Sequence, residues 1–518
     1  MKQQDALPPA PGRRNFLVGS GLAAAALTLP GGAALARGKA AAGDIVMADA
    51  LQLSSWIRHR QVSCREVMLA FLDQIDRVNP KVNAIVSLRD RDELLKEADQ
   101  RDAQLRRGEY LGWMHGMPQA PKDLTATAGI RTTQGSPLFK DYVPKADSII
   151  VERVRKQGAI LIGKTNTPEF GMGSVTYNAV FGTTLNAYDQ GRNAGGSSGG
   201  AAVALATRML PVADGSDMMG SLRNPAAYNN VFGFRPSQGR VPFGPTGEVF
   251  FQQMGYEGPM GRTVTDLAML LSVQAGYDPR TPLSIKEDPS MFAHSLKRDF
   301  KGTRIGWMGD YRGYLPMESG VLDLCASALK GFEAVGCVVE EAMPDFSMET
   351  LWQTWLTLRH FTIAGLAGKL YADPAKRALM KPEVVWEIEG GLHLSGADVW
   401  QATVQRSAWY AALQKLFQKY DYLVLPTAQT FPFAADLHWA KEVAGKPMDT
   451  YHRWMEVVIG GTLSGLPIIN VPAGFNAAGL PMGVQIIGRA QADLAVLQLA
   501  HAYDQATQWV RKRRPTLV

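Results

Sequence analysis

A serine flanked by glycines is the first candidate for chemistry in this chain. Residues 195–199 read Gly-Gly-Ser-Ser-Gly. They match the Gly-x-Ser-x-Gly pattern that exposes a nucleophilic serine after a strand in α/β-hydrolases. Ser197 would be that nucleophile, but the polar residues 186–193 before it indicate a loop rather than the required strand. Several histidines follow Ser197 and could serve as its base, so this interpretation stays open as the weaker alternative.

A second short pattern concerns phosphate binding. Residues 158–165 match the phosphate-loop formula Gly-x4-Gly-Lys-[Ser/Thr] letter for letter. Such a loop must be flexible and must turn its backbone N–H groups toward the phosphates. The intervening residues 159–162 are Ala-Ile-Leu-Ile, which predict a buried strand. The sequence therefore argues against a nucleotide site at this position.

Composition and charge narrow the function classes further. Lys and Arg number 54 against 48 Asp and Glu, a net charge of +6, without a run of five or six basic residues. We therefore expect no nucleic-acid partner. The sequence contains no His-Glu-x-x-His, Cys-x-x-Cys or calcium-loop pattern, so we expect neither a metal nor another cofactor. The cysteines are Cys64, Cys325 and Cys337; a Cys325–Cys337 disulfide is conceivable, but we favour free thiols.

Residues 1–36 are typical of a twin-arginine export signal. The arginine pair at 13–14 is followed by the apolar stretch 16–29 and by Ala-Leu-Ala at 34–36, which suits a signal peptidase. An uncleaved membrane anchor is the alternative, because residues 15–36 carry no charge. However, the most apolar part is shorter than the ~20 residues of a spanning helix. We predict cleavage, no stable membrane insertion afterwards, and a periplasmic location.

The apolar pattern changes along the mature chain. Residues 37–110 are mostly helical; a capping box at 63–66 opens a helix that we expect to end at Asn79-Pro80. From about residue 111 to 518, short apolar strands alternate with helices. The strand candidates are 159–162, 210–213, 231–234, 422–425, 468–471 and 484–487. This alternation predicts an α/β protein with one large mixed β-sheet covered by helices on both faces.

A helical stretch rich in tryptophan interrupts this α/β core at about residues 347–421. Such tryptophan density usually belongs to a hydrophobic core. The alternative is an insertion that walls an apolar substrate cleft. We predict a helical insertion that forms part of that wall.

Longer segments around Ser197 are more specific than either short pattern. Residues 192–200 read Arg-Asn-Ala-Gly-Gly-Ser-Ser-Gly-Gly, and the segments 214–226 and 233–241 follow an Ala-rich helix. In this order they strongly resemble the signature block of the amidase signature family. The resemblance implies that family's α/β fold. It continues from about residue 45 to 505 through the segments 115–118, 122–123, 163–171, 258–264, 464–467 and 479–488.

The resemblance implies a catalytic set of Lys122, Ser197 and Ser221. A serine hydroxyl is a poor nucleophile until a base removes its proton. In this family Ser221 would be the nucleophile, and Lys122 would be the base. Ser197, held on a cis peptide bond after Gly196, would relay the proton. Lys122 can act near neutral pH only if its surroundings lower its pKa.

The same resemblance implies an oxyanion hole formed by backbone N–H groups before the nucleophile. The residues are Met218, Met219 and Gly220. Met219 departs from the family pattern, since relatives have a glycine there. We expect either a backbone at negative φ or a strained one at this position.

The implied function is an exported amidase that hydrolyses a small-molecule carboxylic amide to a carboxylate and an amine or ammonia. An esterase or carbamate hydrolase would use the same acyl-enzyme, so both stay open. A non-catalytic periplasmic binding protein on this fold would have no need of the Lys-Ser-Ser set. The family's tRNA-charging amidotransferase member is cytoplasmic, which conflicts with export. The sequence leaves a homodimer open.

Overall fold

An eight-stranded sheet lies at the centre of the computed structural model, which describes residues 42–251 and 253–518. Its strands, numbered along the chain, are β1 (Ala213–Asp217), β2 (Phe232–Arg235), β3 (Tyr256–Gly261), β4 (Arg304–Trp307), β5 (Val338–Glu341), β6 (Tyr422–Pro426), β7 (Ile468–Phe475) and β8 (Pro481–Ile487). Their order across the sheet is β5-β4-β6-β8-β7-β2-β3-β1.

The sheet is mixed. Strand β4 runs parallel to both β5 and β6. The other neighbours, from β6 across to β1, pair antiparallel. Strand β8 is buried along its whole length, as expected for a strand covered on both faces. The prediction of an α/β fold around one large mixed sheet is confirmed.

Helices surround this sheet. Arg223–Tyr228 and Val321–Ala328 pack against β7 and β8. The other helices are Ala42–Met47, Ala50–Arg58, Cys64–Val82, Arg91–Arg106, Ile149–Lys156, Gly199–Ala206, Val264–Gln274, Lys330–Glu333, Met348–Tyr371, Pro374–Arg377, Pro382–Leu392, Gly396–Phe417, Ile459–Ser464, Asp493–Thr507 and Trp509–Lys512. Short 3-10 turns occur at Pro137–Phe139, Glu169–Gly171, Pro289–Ala293 and Arg453–Val458.

Four two-stranded pairs complete the secondary structure. They are Ile85–Val86 with Lys164–Thr165, Pro118–Gln119 with Ile160–Leu161, Tyr177–Asn178 with Gly182–Thr183, and Glu442–Val443 with Lys446–Pro447. The second pair contains the predicted strand at 159–162, which lies inside the phosphate-loop pattern. These residues are buried and extended, so they do not form an open phosphate loop.

The helix that begins at Cys64 shows where the sequence misleads. Its predicted start is confirmed, because Ser63 and Glu66 form the capping box. Its predicted end at Asn79-Pro80 is wrong, since the helix continues through Pro80 to Val82. Val78 and Val82 are both buried, and the chain leaves the helix only at Asn83, in a left-handed conformation. Packing of these two valines outweighs the one hydrogen bond that proline removes.

The central strands were predicted unevenly. The candidates at 231–234, 422–425, 468–471 and 484–487 correspond to β2, β6, β7 and β8. The candidate at 210–213 is displaced, because β1 begins only at Ala213. Strand β3 was missed: it contains Gly258, Pro259 and Gly261, which the propensity rules assign to turns.

Long helices occupy the predicted insertion at 347–421, with Met348–Tyr371 packed against Pro382–Leu392 and Gly396–Phe417. Trp352, Trp355 and Trp409 are buried in the core, whereas Trp400 is 71% exposed. These buried tryptophans therefore stabilise the packing of the helices, as the core interpretation expects.

All three cysteines are buried and free, as favoured. The predicted signal at 1–36 lies outside the described residues. Among the described residues, no helix has the length and hydropathy needed to cross a membrane.

Candidate active site

Two tight turns bring Ser197 and Ser221 to the edge of the sheet. Ser197 comes just before the helix Gly199–Ala206, and Ser221 lies between strand β1 and the helix Arg223–Tyr228. The peptide bond between Gly196 and Ser197 is cis, as the resemblance implies. A backbone hydrogen bond of 3.3 Å from Ser198 N to the Ser221 carbonyl joins the two turns.

Close backbone approach explains one glycine of the Gly-Gly-Ser-Ser-Gly-Gly segment. A Cβ on Gly200 would lie 2.3 Å from the backbone nitrogen of Asn166. Only glycine therefore lets the start of this helix pack against the strand that ends at Thr165. Lys122 forms an isolated parallel bridge with Thr165, so the lysine is fixed next to the same helix.

Lys122 lies at the centre of a group of hydroxyls. Its Nζ is 2.7 Å from Ser197 Oγ, 2.9 Å from Ser198 Oγ and 3.1 Å from Ser216 Oγ. The lysine is fully buried, and its backbone N–H donates to Asp214. A neutral amine has two N–H donors and one lone pair, so it satisfies these hydroxyls only if one of them donates to it.

Burial lowers the pKa of Lys122 to about 7, against the opposing influence of the carboxyl groups of Asp217, Asp214 and Glu257. Desolvation disfavours the charged ammonium, which has no carboxylate among its hydrogen-bond partners in the described part of the chain. The amine therefore loses its proton near neutral pH, as a general base requires.

A buried carboxylate organises the turn that carries Ser221. Asp217 accepts hydrogen bonds from Gly220 N at 2.9 Å and from Leu222 N at 3.2 Å. It also pairs with the guanidinium groups of Arg223, at 2.9 Å, and Arg235, at 3.3 Å. Burial alone would raise the pKa of Asp217, but these two guanidinium groups hold it well below its usual range. The carboxylate therefore stays ionised and holds the turn in place.

The three predicted oxyanion-hole residues differ in their hydrogen bonds. Within the described part of the chain, the backbone N–H groups of Met218 and Met219 donate to no other group. The Gly220 N–H is already directed to Asp217, which conflicts with the expectation that it is free for an oxyanion. Gly220 has a structural role instead: its φ is +78°, and a Cβ there would lie 2.9 Å from Val458.

Met219 accommodates its departure from glycine without backbone strain. Met219 is not among the described residues with positive φ. Its backbone therefore has negative φ, which is the first of the two alternatives that we expected. Its side chain is buried and lines the cavity in front of Ser221.

The cavity measures about 430 Å³ and is bordered by both turns. Ser197, Ser216 and Ser221 line it together with Glu257. Most of the remaining wall is apolar and includes Leu124, Phe170, Met172, Met218, Phe243, Pro245, Ile363 and Leu366. Within the described residues, the Ser221 hydroxyl makes no hydrogen bond, so it is free to meet a group that enters the cavity.

Comparison with known proteins identifies the family. The Amidase family model matches residues 66–497. The chain belongs to the amidase signature family. It is an amidase, a hydrolase of amide C–N bonds.

Individual relatives cover nearly the whole amidase. An acylamidase of Rhodococcus erythropolis is 33% identical over 474 residues, which span 90% of this chain and 96% of that protein. A glutamyl-tRNA(Gln) amidotransferase subunit of Thermosynechococcus vestitus is 34% identical over 486 residues, with coverage of 89% and 98%. The crystal structure of a bacterial aryl acylamidase of the same family superimposes with a TM-score of 0.83. It is 30% identical and covers 89% of this chain and 96% of the other.

Sequence reasoning missed two further residues of the amidase site. Ser198 and Ser216 both contact Lys122, and both lie in segments that resemble the family. Their hydroxyl side chains were the available signal, but neither segment shows by itself that it folds toward the lysine.

The predicted wall of the cleft is partly confirmed. Arg359, Ile363 and Leu366 line the cavity from the insertion helix Met348–Tyr371. None of its tryptophans is among the described residues that line the cavity. The apolar part of the wall that the insertion contributes thus consists of the aliphatic side chains of Ile363 and Leu366.

Proposed function

We propose that this chain is an exported, periplasmic amidase that forms an acyl-enzyme on Ser221. The observation that carries the proposed acyl-enzyme chemistry is the 2.7 Å contact between Lys122 Nζ and Ser197 Oγ, beside the cavity that Ser221 lines. A buried amine with a pKa of about 7 next to a serine relay is suited to activating a second serine.

The proposed proton path begins at the hydrogen bond between Lys122 and Ser197. Within the described residues, the Ser197 hydroxyl has Lys122 as its one hydrogen-bond partner, so it can donate its proton to the neutral amine. Its oxygen then accepts the proton of Ser221, whose Oγ attacks the amide carbon. When the tetrahedral intermediate collapses, the proton returns through Ser197 to the leaving nitrogen. Water cleaves the resulting acyl ester by the same path in reverse order.

The developing negative charge needs donors beside the nucleophile. The free N–H groups of Met218 and Met219 are the donors that we propose. Gly220 supports the turn rather than the oxyanion, because Asp217 already accepts its hydrogen bond.

The substrate that we propose is a small amide with an aryl or long alkyl group. An apolar wall favours such groups over acetamide, since each buried CH₂ contributes ~0.8 kcal/mol. The similarity to an acylamidase and to an aryl acylamidase supports this choice. The amidotransferase relatives make glutamine a necessary comparison substrate.

The experiment is to purify residues 37–518 and to measure kcat/KM on aryl amides, alkyl amides, peptide amides and glutamine. Matched esters and carbamates are included because they share the acyl-enzyme. We expect the phenyl-substituted amide to exceed acetamide by at least tenfold. Equal values on these two, or turnover of esters alone, would contradict the proposed substrate class.

Export is tested on the full chain. The twin-arginine pair, the apolar stretch and the Ala-Leu-Ala site at 34–36 support it. We expect periplasmic protein whose N-terminus begins at Arg37 by mass spectrometry. The double substitution Arg13→Lys, Arg14→Lys retains the charge and is expected to leave the precursor in the cytoplasm. Cytoplasmic wild type, or unchanged export of the double variant, would contradict this route.

A further inference from the structure

A buried guanidinium that has no part in the proposed mechanism lies in the wall of the catalytic cavity. Arg359 belongs to the helix Met348–Tyr371 and is 4% exposed, yet it lines the same cavity as Ser197 and Ser221. Most of the surrounding wall is apolar. A charge buried in such surroundings is costly unless it is paired and hydrogen-bonded.

Only some of the N–H donors of this guanidinium have strong hydrogen-bond acceptors. Its Nε donates to Glu387 at 2.5 Å, and one terminal nitrogen donates to the Tyr451 hydroxyl at 2.9 Å. Within the described residues, its other hydrogen bonds are to thioether sulfurs, Met218 Sδ at 3.1 Å and Met172 Sδ at 3.0 Å. Sulfur is a weak acceptor, and arginine has five N–H donors. The side with the two methionines therefore has unused donor capacity, and all three residues line the cavity.

The charge of the arginine, in contrast, is already balanced. Glu387 is fully buried against Arg359, and its second oxygen lies 2.9 Å from His360 Nδ1. Burial lowers the pKa of the neighbouring His452 to about 3, so this imidazole is neutral. A substrate carboxylate would add an uncompensated buried charge to this cluster. A neutral oxygen would gain a charge-assisted hydrogen bond without that cost.

We propose that Arg359 recognises a neutral oxygen acceptor on the substrate, such as a carbonyl, ether or hydroxyl oxygen, apart from the amide that is cleaved. The oxygen takes the place of Met172 and Met218 at the guanidinium. These thioether side chains are flexible enough to turn aside. The substrate class is therefore an otherwise apolar amide with one added neutral acceptor. This inference rests on the proposed function only in that the cavity is the substrate site.

The test measures binding to Ser221→Ala, so that turnover is not required. The probes are anilides with a para-ethyl, para-methoxy or para-carboxylate group, placed on the acyl ring in one series and on the amine ring in the other. We expect the methoxy compound to bind at least about fivefold more tightly than the ethyl compound in one series. The carboxylate should bind more weakly than the methoxy compound. Equal Kd values for methoxy and ethyl in both series, or tightest binding of the carboxylate, would overturn the proposal.

A matched pair of variants assigns the preference to Arg359. In Met172→Gln an amide oxygen next to the guanidinium competes with the substrate, so the methoxy preference should fall toward unity. In Met172→Leu the internal acceptor is lost, and the preference should persist or increase. If Met172→Gln keeps the preference, or both variants lose it equally, Arg359 is not the recognition group. If the wild type does not hydrolyse amides but Ser221→Ala still binds the methoxy compound more tightly, the proposed function is refuted and the inference about Arg359 is not.

Discussion

Lys122 Nζ and Ser197 Oγ lie 2.7 Å apart, and both residues are buried beside the cavity. This separation permits a direct proton transfer between the two side chains. Within the described residues the lysine has no carboxylate among its hydrogen-bond partners, and above about pH 7 the contact joins a neutral amine to a hydroxyl. The chemistry of the site therefore depends on how well the fold keeps water and counter-charges away from Lys122.

The identity of the nucleophile is tested by Ser221→Ala. We expect turnover to fall below detection and a fluorophosphonate probe to label the wild type but not this variant. Ser197→Ala should be labelled slowly, because its nucleophile is intact but its proton relay is lost. Labelling that persists in Ser221→Ala and vanishes in Ser197→Ala would favour the Gly-x-Ser-x-Gly interpretation, with Ser197 as nucleophile.

The pH dependence of the reaction should report Lys122. A general base acts only when unprotonated, and the pKa of Lys122 is about 7. We therefore expect kcat/KM to rise with pH through about 7 and to level off above it. In Lys122→Ala the rate at pH 7 should fall by roughly 10²–10⁴-fold and recover partly at alkaline pH, where hydroxide replaces the base. A wild-type rate at pH 7 in this variant would refute the assignment.

The lowered pKa of Lys122 should make the folded protein more stable as the pH rises from about 7 toward 10. In the unfolded chain a lysine keeps its proton up to about pH 10, whereas folded Lys122 loses it near 7. Its destabilising effect is therefore full below pH 7 and disappears as the pH rises toward 10. We expect the free energy of unfolding of Lys122→Met to exceed that of the wild type by more at pH 6 than at pH 10. The change in this difference between the two pH values should be roughly 5 kcal/mol at most.

Urea unfolding of both proteins at several pH values measures this difference. The exposed Lys156→Met is the matched control and should show a difference that does not change with pH. A Lys122→Met difference equally independent of pH would mean that the folded lysine keeps its proton.

The sequence was most informative where long motifs keep a family order. Such segments placed Lys122, Ser197 and Ser221 in one site, although 99 positions separate the first from the last. Local rules found the capping box of Ser63 and Glu66 but failed at Pro80, where tertiary packing outweighs propensity. Contacts between residues outside the motifs could not be predicted from the sequence. The ion pair of Arg359 with Glu387, for example, depends on how two insertion helices cross.

The Asp217 carboxylate should be essential for the turn before Ser221. Asp217→Asn leaves the buried guanidinium groups of Arg223 and Arg235 without their counter-charge. We expect a loss of about 3–5 kcal/mol in the free energy of unfolding and slower labelling of Ser221 by the fluorophosphonate. Asp99→Asn, which breaks an exposed pair with Arg65, is the control and should cost at most about 1 kcal/mol. Similar losses in the two variants would show that Asp217 has no special role.

Met219 should narrow the acyl side of the cavity. Its backbone N–H is free for the oxyanion and its buried side chain lines the cavity, so both parts of the residue border the reacting carbonyl. Met219→Gly is expected to keep the nucleophile and to shift relative kcat/KM toward bulkier acyl groups. The shift should be about fourfold for each CH₂ that the enlarged space accepts.

Met219→Ala is the matched variant, because it shortens the side chain while it retains a Cβ and the normal backbone restriction. We expect the same direction of change in Met219→Ala, measured on a series of anilides from acetyl to hexanoyl. If both variants keep the parent's order of acyl preference, the methionine packs in the core without contacting the substrate. If only the glycine variant changes, backbone freedom rather than side-chain volume controls the acyl site.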